Sequence, residues 1–243
     1  MDLLEREVVE SEDRCPFRLS VERVLLTQFR SYANLVLEVG PGPIVLIGGN
    51  GAGKSTLLRV LAGELPLSGG QLSLGRSSSD RKPSLFRLAQ EPDIPGFLNL
   101  VEVVTLAVRA WRPEIPAPVD LASELLEHWG LNGQEDQPIR TASPGEIRRV
   151  LLAVVEGIRP EILLLDEVLS ALDPRIVPQA EELFESLGAQ GTATLLVTHD
   201  MGVAERLPSR ILLLDKGRIA AQWTREWLMD QRAQGKTLFD LFL

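Results

Sequence analysis

Residues 48–55 read Gly48-Gly49-Asn50-Gly51-Ala52-Gly53-Lys54-Ser55, with Thr56 next. They fit the pattern G-x-x-x-x-G-K-[ST], and each residue type suits polyphosphate chemistry. Glycines let the main chain wrap tightly and aim its N–H groups at phosphate oxygens. A helix that starts there adds the partial positive charge of its N-terminus. Lys54 has the reach to meet the β- and γ-phosphates, and the Ser55 hydroxyl can ligate Mg²⁺. A merely flexible glycine loop would share this composition. The context favours the phosphate reading: a short aliphatic run, Ile44 to Ile47, precedes the loop, and Leu57, Leu58, Val60 and Leu61 follow at helical spacing.

A second run, Ile162-Leu163-Leu164-Leu165-Asp166-Glu167, ends an apolar strand in two carboxylates. At the carboxyl edge of a parallel sheet they would face the same crevice as the glycine loop. Asp166 is then placed to hold Mg²⁺ through water. Glu167 is placed to polarise an attacking water, as a general base or by orienting it.

These groups need a scaffold, and the chain's punctuation supplies one. Two short strands are expected between Val21 and Val39, and Pro41-Gly42-Pro43 forces a turn. Ile44 to Ile47 suits a strand buried on both faces, and Gly63 ends the helix after the loop. Glu91 to Thr141 is punctuated by proline and has helical periodicity at Leu100 to Val108 and Leu121 to Trp129. It reads as a helical subdomain inserted into the core. A helix over Ile147 to Ile158, a strand over Ile162 to Leu165 and a helix over Ile176 to Leu187 follow. Strands are expected at Thr194 to Val197 and Ile211 to Leu214. Apolar strands alternating with helices imply a mainly parallel sheet covered on both faces.

The 243 residues are 44% hydrophobic and 24% charged, which excludes a disordered chain or a fibre. The formal charge of −9 argues against broad, non-specific binding to DNA or anionic lipid. A single cysteine, Cys15, excludes a disulfide framework or a cysteine-rich zinc site within one chain. No apolar run approaches the roughly 18 residues of a membrane span. Met1 to Arg14 is acidic and lacks the basic and apolar regions of a signal peptide. A soluble, cytoplasmic protein is expected.

Further landmarks follow in a fixed order. Gln90 comes after a strand-like segment, Leu85 to Ala89. Ala142-Ser143-Pro144-Gly145-Glu146 precedes a helix. Ser170-Ala171-Leu172-Asp173 follows the acidic pair, and His199 follows the strand Leu195 to Val197. With the glycine loop and the carboxylates, this series resembles the ATP-binding cassette (ABC) ATPases over about Val21 to Ile219. In that resemblance Gln90 stands for the Q-loop, residues 142–146 for the LSGGQ signature, residues 170–173 for the D-loop and His199 for the switch histidine. Tyr32 or Phe29 stands for the aromatic that stacks on adenine.

The resemblance implies an α/β fold: a P-loop NTPase (RecA-like) core with an N-terminal antiparallel β subdomain and the inserted α-helical subdomain. The expected division is an acidic tail at 1–20, the ATPase core at 21–90 and 142–222, the helical insertion at 91–141 and an apolar extension at 223–243. It also implies ATP and Mg²⁺, and a head-to-tail dimer with two ATP molecules at its interface. Each ATP would lie between residues 48–56 of one subunit and Ser143 and Gly145 of the other, with Asp173 nearby. Gln90 would sense Mg²⁺ and the attacking water, and His199 would hydrogen-bond the γ-phosphate. Ser55, Gln90 and Asp166 would be the metal set.

The signature is degenerate. Ala142 replaces Leu, Pro144 replaces the first Gly and Glu146 replaces Gln. Locally, Ser143 to Glu146 reads as a capping box with proline at the first helical position. Ile147, Val150, Leu151, Val154 and Ile158 form the expected buried stripe. A helix start still suits anion binding, although proline has no N–H to donate. Phe29-Arg30-Ser31-Tyr32, so close before the phosphate loop, also resembles the chromosome-maintenance and recombination ABC ATPases, the SMC and RecF types. In those, the equivalent of Arg30 approaches the nucleotide, and Tyr32 would then be a hairpin core aromatic.

Two readings follow. The interval from Gly48 to Ala142 has no heptad run, whereas the DNA-repair types carry a long arm or coiled coil there. A short helical subdomain after a Q-loop is similar to transporter subunits, and residues 91–107, including Phe97 to Glu102, are similar to the stretch that meets a membrane subunit. The favoured expectation is the ATP-hydrolysing subunit of a transporter, peripheral on the cytoplasmic face of a membrane through a separate polytopic partner. The alternative is a soluble ABC ATPase acting on DNA or a protein complex. Trp223, Trp227 and Leu228 would share an apolar face if helical, and Leu238 to Leu243 is very apolar, suited to packing on this subunit or docking on another.

Overall fold

The computed structural model describes residues 21–29, 32–39, 42–66, 70–73, 83–169, 172–207 and 210–238. The first two strands, and all of the fourth but Leu72, are described as backbone paths. The acidic tail, Arg30 and Ser31, the Tyr32 and Phe29 side chains, Ser170 and Ala171, and residues 239–243 lie outside what is described.

A parallel sheet carries the molecule. Strand β3 (Gly42–Ile47) lies between β7 (Ala193–Val197) and β8 (Arg210–Asp215), parallel to both. On the far side of β7 lie β6 (Ile162–Asp166) and then β5 (Leu85–Leu88), again parallel. Strand β9 (Arg218–Thr224) closes the other edge, antiparallel to β8. A second sheet pairs β1 (Val21–Phe29) antiparallel with both β2 (Tyr32–Val39) and β4 (Gly70–Ser73). Strand β4 was not among the sequence expectations, and its four residues carry no alternating pattern strong enough to announce it.

Alternation along the central strands assigns each face its cover. Ile44 and Leu46 of β3 point to one side, where Leu57, Leu58, Val60 and Leu61 of α1 (Lys54–Leu61) pack with Leu72 of β4. Val45 and Ile47 point to the other side, into a larger core. That core includes α4 (Pro144–Ile158) and Ala180, Phe184 and Leu187 of α5 (Val177–Ala189). Both faces of β3, β6 and β7 are therefore buried, which explains why these strands read as continuous aliphatic runs.

Between β5 and α4 the chain makes α2 (Leu100–Trp111) and α3 (Pro118–His128), which pack on α4. Helix α2 starts with a reciprocal capping box: Asn99 accepts from the Glu102 N–H, and Glu102 accepts from the Asn99 N–H. Of the expected stripe on α4, Val150, Leu151, Val154 and Ile158 are buried and Ile147 only partly, yet the helix is buried over much more than that stripe. Leu152, Ala153, Val155 and Gly157 are buried too, because α4 is sandwiched between the sheet and α2–α3. Gly157 marks the tightest point, where an added Cβ would stand 2.8 Å from Val108 Cγ2 and 3.0 Å from Leu125 Cδ1.

Two details differ from the sequence expectation at the C-terminal end. Trp223 is not on a helix with Trp227 and Leu228; it lies on β9, which runs on to Thr224, past the expected core boundary at 222. Helix α7 (Arg225–Ala233) then begins, capped by Thr224, and buries none of its own residues. The two indoles still meet, stacked with centroids 6.2 Å apart, because the turn at Thr224 folds α7 back over the strand end. Leu238 is buried beyond the helix. Helix α6 (Met201–Arg206), too short for a periodic signal, starts at Asp200, whose carboxylate accepts from the Gly202 and Val203 N–H groups. Among the described residues, no helix is long and apolar enough to cross a membrane.

Candidate active site

Parallel pairing of β3, β5, β6 and β7 brings their carboxyl ends to one edge of the sheet. The glycine loop leaves β3, Gln90 follows β5, Asp166 ends β6 and His199 follows β7. Four segments far apart in the chain thus converge because their strands are neighbours and point the same way.

The glycine loop is held by its own main chain and by Lys54. The Ala52 N–H donates to Gly49 O, and the Lys54 ammonium, almost fully buried, donates to Gly48 O at 2.9 Å and Gly49 O at 3.1 Å. Gly48 is required by close approach. An added Cβ would stand 2.2 Å from the Leu214 carbonyl oxygen on the adjoining strand. Helix α1 starts at Gly53 without a side-chain cap and without an acidic residue in its first turn. The positive end of the helix is therefore offered to an anion rather than neutralised from within.

The Ser55 hydroxyl donates to Asp166 Oδ1 at 3.0 Å. Asp166 is 4% exposed, and burial pushes its carboxyl above the usual range, opposed by the Ser55 hydrogen bond and the Arg87 charge. A hydroxyl and a poorly solvated carboxylate side by side, close to a phosphate-type loop, fit a divalent cation. Its charge would relieve the cost of burying Asp166, and both donors are hard oxygens. Gln90 is exposed, two residues past the end of β5.

Arg87 is a site residue that the sequence reading missed. Its Nη1 lies 3.8 Å from Asp166 Oδ2, and its guanidinium donates to both carboxylate oxygens of Glu64, at 2.6 and 3.0 Å. One signal was legible: a single charge inside the apolar run Leu85-Phe86-Arg87-Leu88.

Glu167 sits one residue beyond the strand in a left-handed conformation, φ 53°. For a residue with a Cβ this is uncommon and costs of order 1 kcal/mol or more. Its N–H donates to Val197 O at 3.0 Å, and its carboxylate lies 3.3 Å from His199 Nδ1. The backbone turn therefore brings the second carboxylate of the pair against the histidine after the neighbouring strand, while Asp166 faces Ser55.

Ser143 and Gly145 form a different place. Ser143 caps α4: its hydroxyl accepts from the Glu146 N–H, and Glu146 Oε2 accepts from the Ser143 N–H at 2.7 Å. These bonds hold the Glu146 carboxyl below its usual range. Ser143 and Gly145 share a cleft of about 390 Å³ with Asp173 and Arg175, and none of residues 48–56, Asp166, Glu167 or His199 lines it. Asp173 accepts from the Arg175 N–H, Nε and Nη2, which pull its carboxyl far below the usual range. The candidate residues thus fall into two groups in one chain: Lys54, Ser55, Asp166, Glu167 and His199 around the loop, and Ser143, Gly145 and Asp173 around the cleft.

The family model described as "ABC transporter" matches residues 32–170, more than half of the chain. The L-cystine transport system ATP-binding protein TcyN of Escherichia coli K12 is 31% identical over 220 residues, covering 83% of this chain and 87% of that protein. The energy-coupling factor transporter ATP-binding protein EcfA2 of Methanospirillum hungatei JF-1 is 34% identical over 194 residues. There 75% of this chain is covered, and it spans 48% of the relative's length. A solved ATP-binding subunit of an ABC transporter matches in fold with TM-score 0.79 at 23% identity, over 93% of this chain and 97% of that one.

Proposed function

The chain belongs to the ABC transporter family as an ATP-binding subunit, an ATPase, and on that premise we propose that two copies close head to tail over two ATP molecules and drive a separate membrane-spanning partner. The observation that carries this reading is the division of the site. Ser143 and Gly145 open a capped helix onto a cleft that none of the phosphate-loop residues lines. A second subunit, turned through a two-fold axis, supplies the missing half to each loop.

In the proposed chemistry, main-chain N–H groups of residues 49–56 and the Lys54 ammonium hold the β- and γ-phosphates. Lys54 must first leave the Gly48 and Gly49 carbonyls. Ser55 and Asp166, with Gln90, would hold Mg²⁺, which when bound supplies charge neutralisation at the phosphate oxygens. Glu167 accepts a proton from the water that attacks the γ-phosphorus as the bond to the ADP oxygen breaks. His199, against the Glu167 carboxylate, orients that carboxylate and reaches for the γ-phosphate. From the partner, Ser143 and the Gly145 N–H close over the same phosphate, with Asp173 beside them.

ATP binding closes the pair, and hydrolysis with product release reopens it. Exposed Phe97, ahead of α2, is the apolar contact offered to the membrane subunit on its cytoplasmic side. The decisive experiment is Glu167→Gln with ATP and magnesium. A stable dimer holding two ATP molecules, with hydrolysis reduced at least ~100-fold, is the expected result. A monomer at saturating ATP, or brisk turnover, overturns the reading. Recovery of a polytopic membrane protein in a mild-detergent pull-down supports the transport coupling, and recovery of DNA or repair proteins instead overturns it.

A further inference from the structure

Arg148, 7% exposed, is one of the few buried charged residues among those described, in the second turn of α4. Its Nη1 donates to Ala89 O at 2.9 Å, and its Nη2 donates to Gln90 O. These two carbonyls lie just past β5, which ends at Leu88, so they have left the sheet ladder. The guanidinium takes their place as partner, bridging two consecutive peptides with its planar fork. Burial lowers its pKa, and the Glu91 charge opposes that effect. A buried cation held mainly by neutral carbonyls is a poor route to stability, since an apolar side chain of similar volume often serves as well or better. Its geometry, rather than its energy, is what an alternative residue would not reproduce.

That geometry joins two parts of the site. Gln90, whose carbonyl is held, carries the amide that the proposed reaction places at the metal. Three residues back from Arg148, about 5 Å along the helix axis, lies Gly145, with Ser143 at the cap. The next residue, Arg149, donates from Nη1 to the Trp129 and Gly130 carbonyls at the end of α3. The first turns of α4 are therefore bonded to the Gln90 loop on one side and to the helical insertion on the other.

We propose that Arg148 is a positioning residue that couples the two ATP sites: movement of the Gln90 loop at one site is transmitted through the guanidinium to the Ser143–Gly145 end of α4, which meets the ATP of the other. This rests on the head-to-tail reading above. By linkage the coupling runs both ways, so ATP at either site favours closure at the other.

The test uses Arg148→Met, which fills similar volume without hydrogen bonds. ATP binding to the isolated subunit, read with a fluorescent ATP analogue, is expected to stay within twofold, because the phosphate loop is untouched. The Hill coefficient of ATP hydrolysis is expected to fall from above ~1.5 to about 1, and the ATP needed for half-dimerisation of Glu167→Gln/Arg148→Met to rise roughly tenfold over Glu167→Gln alone. An unchanged Hill coefficient with an unchanged dimerisation midpoint overturns the proposal while leaving the head-to-tail reading intact. Failure of Glu167→Gln to dimerise with Arg148 in place overturns both. If Arg148→Met loses its cooperative thermal transition, Arg148→Gln, polar but too short to reach both carbonyls, carries the same expectation and the same overturning result.

Discussion

Ser55 and Asp166 are 111 positions apart in the chain, and the hydroxyl of one donates to the carboxylate of the other at 3.0 Å. The contact joins the first turn of α1 to the end of β6, and it leaves a carboxylate mostly out of water. Its ionised form is held by one hydroxyl and by an arginine at 3.8 Å whose direct hydrogen bonds go to Glu64. The raised Asp166 pKa records that imbalance.

Asp166→Asn follows from it. A carboxyl whose folded-state pKa is raised binds its proton more tightly folded than unfolded. Its contribution is thus most favourable below the ordinary aspartate range and is lost as pH rises through the raised value. Without Mg²⁺ and nucleotide, Asp166→Asn is expected to melt higher than the parent at pH 7, by about 2–4 °C for each ~1 kcal/mol gained. The advantage should shrink as pH falls below that range, and magnesium-dependent ATP hydrolysis should be lost. Differential scanning fluorimetry across pH checks the stability; a lower melting point at pH 7 would contradict the burial argument.

Lys54→Ala removes the ammonium that spans the Gly48 and Gly49 carbonyls. ATP affinity should fall at least tenfold, equivalent to about 1.4 kcal/mol, with the fold intact by circular dichroism. Retained tight binding in titration calorimetry would remove Lys54 from the phosphate site.

Gly48 and Gly49 are expected to part company. Gly48→Ala drives a Cβ to 2.2 Å from the Leu214 carbonyl, so β3 and β8 must separate locally. Gly49→Ala meets nothing within 4 Å. The first should lose roughly 2–3 kcal/mol and about 5–10 °C in melting temperature, and the second under 0.5 kcal/mol. Equal melting points for the two variants would refute the close approach.

Pro144→Gly restores a donor at the first position of α4 while the Ser143–Glu146 box remains to start the helix. Turnover is expected to be preserved or raised, measured as phosphate release at saturating ATP, for a stability cost of at most ~1 kcal/mol. A collapse of turnover would mean that the proline shapes the helix start in a way glycine does not.

The sequence determined the local pieces, because each is written in neighbouring residues. The glycine loop, the aliphatic strands β3, β6 and β7 and the capping box at Ser143 follow from composition and spacing within about ten residues. The tertiary structure decided what spacing does not encode. Strand order set β5, which leads to Gln90, beside β6, which ends in Asp166, and Trp223 went to a strand because the antiparallel edge pairing with β8 outweighed its helical spacing with Trp227. Arg87 and Arg148 drew their meaning from partners 23 and more positions away, Glu64, Ala89 and Gln90. The expected stripe of α4, Ile147, Val150, Leu151, Val154 and Ile158, did not include Arg148; its face became buried, with Leu152 and Val155, only where α2 and α3 packed on α4. Which carbonyls it would meet there depended on how the chain closed around it, since a hydrogen bond requires a partner in space and the sequence specifies only the donor.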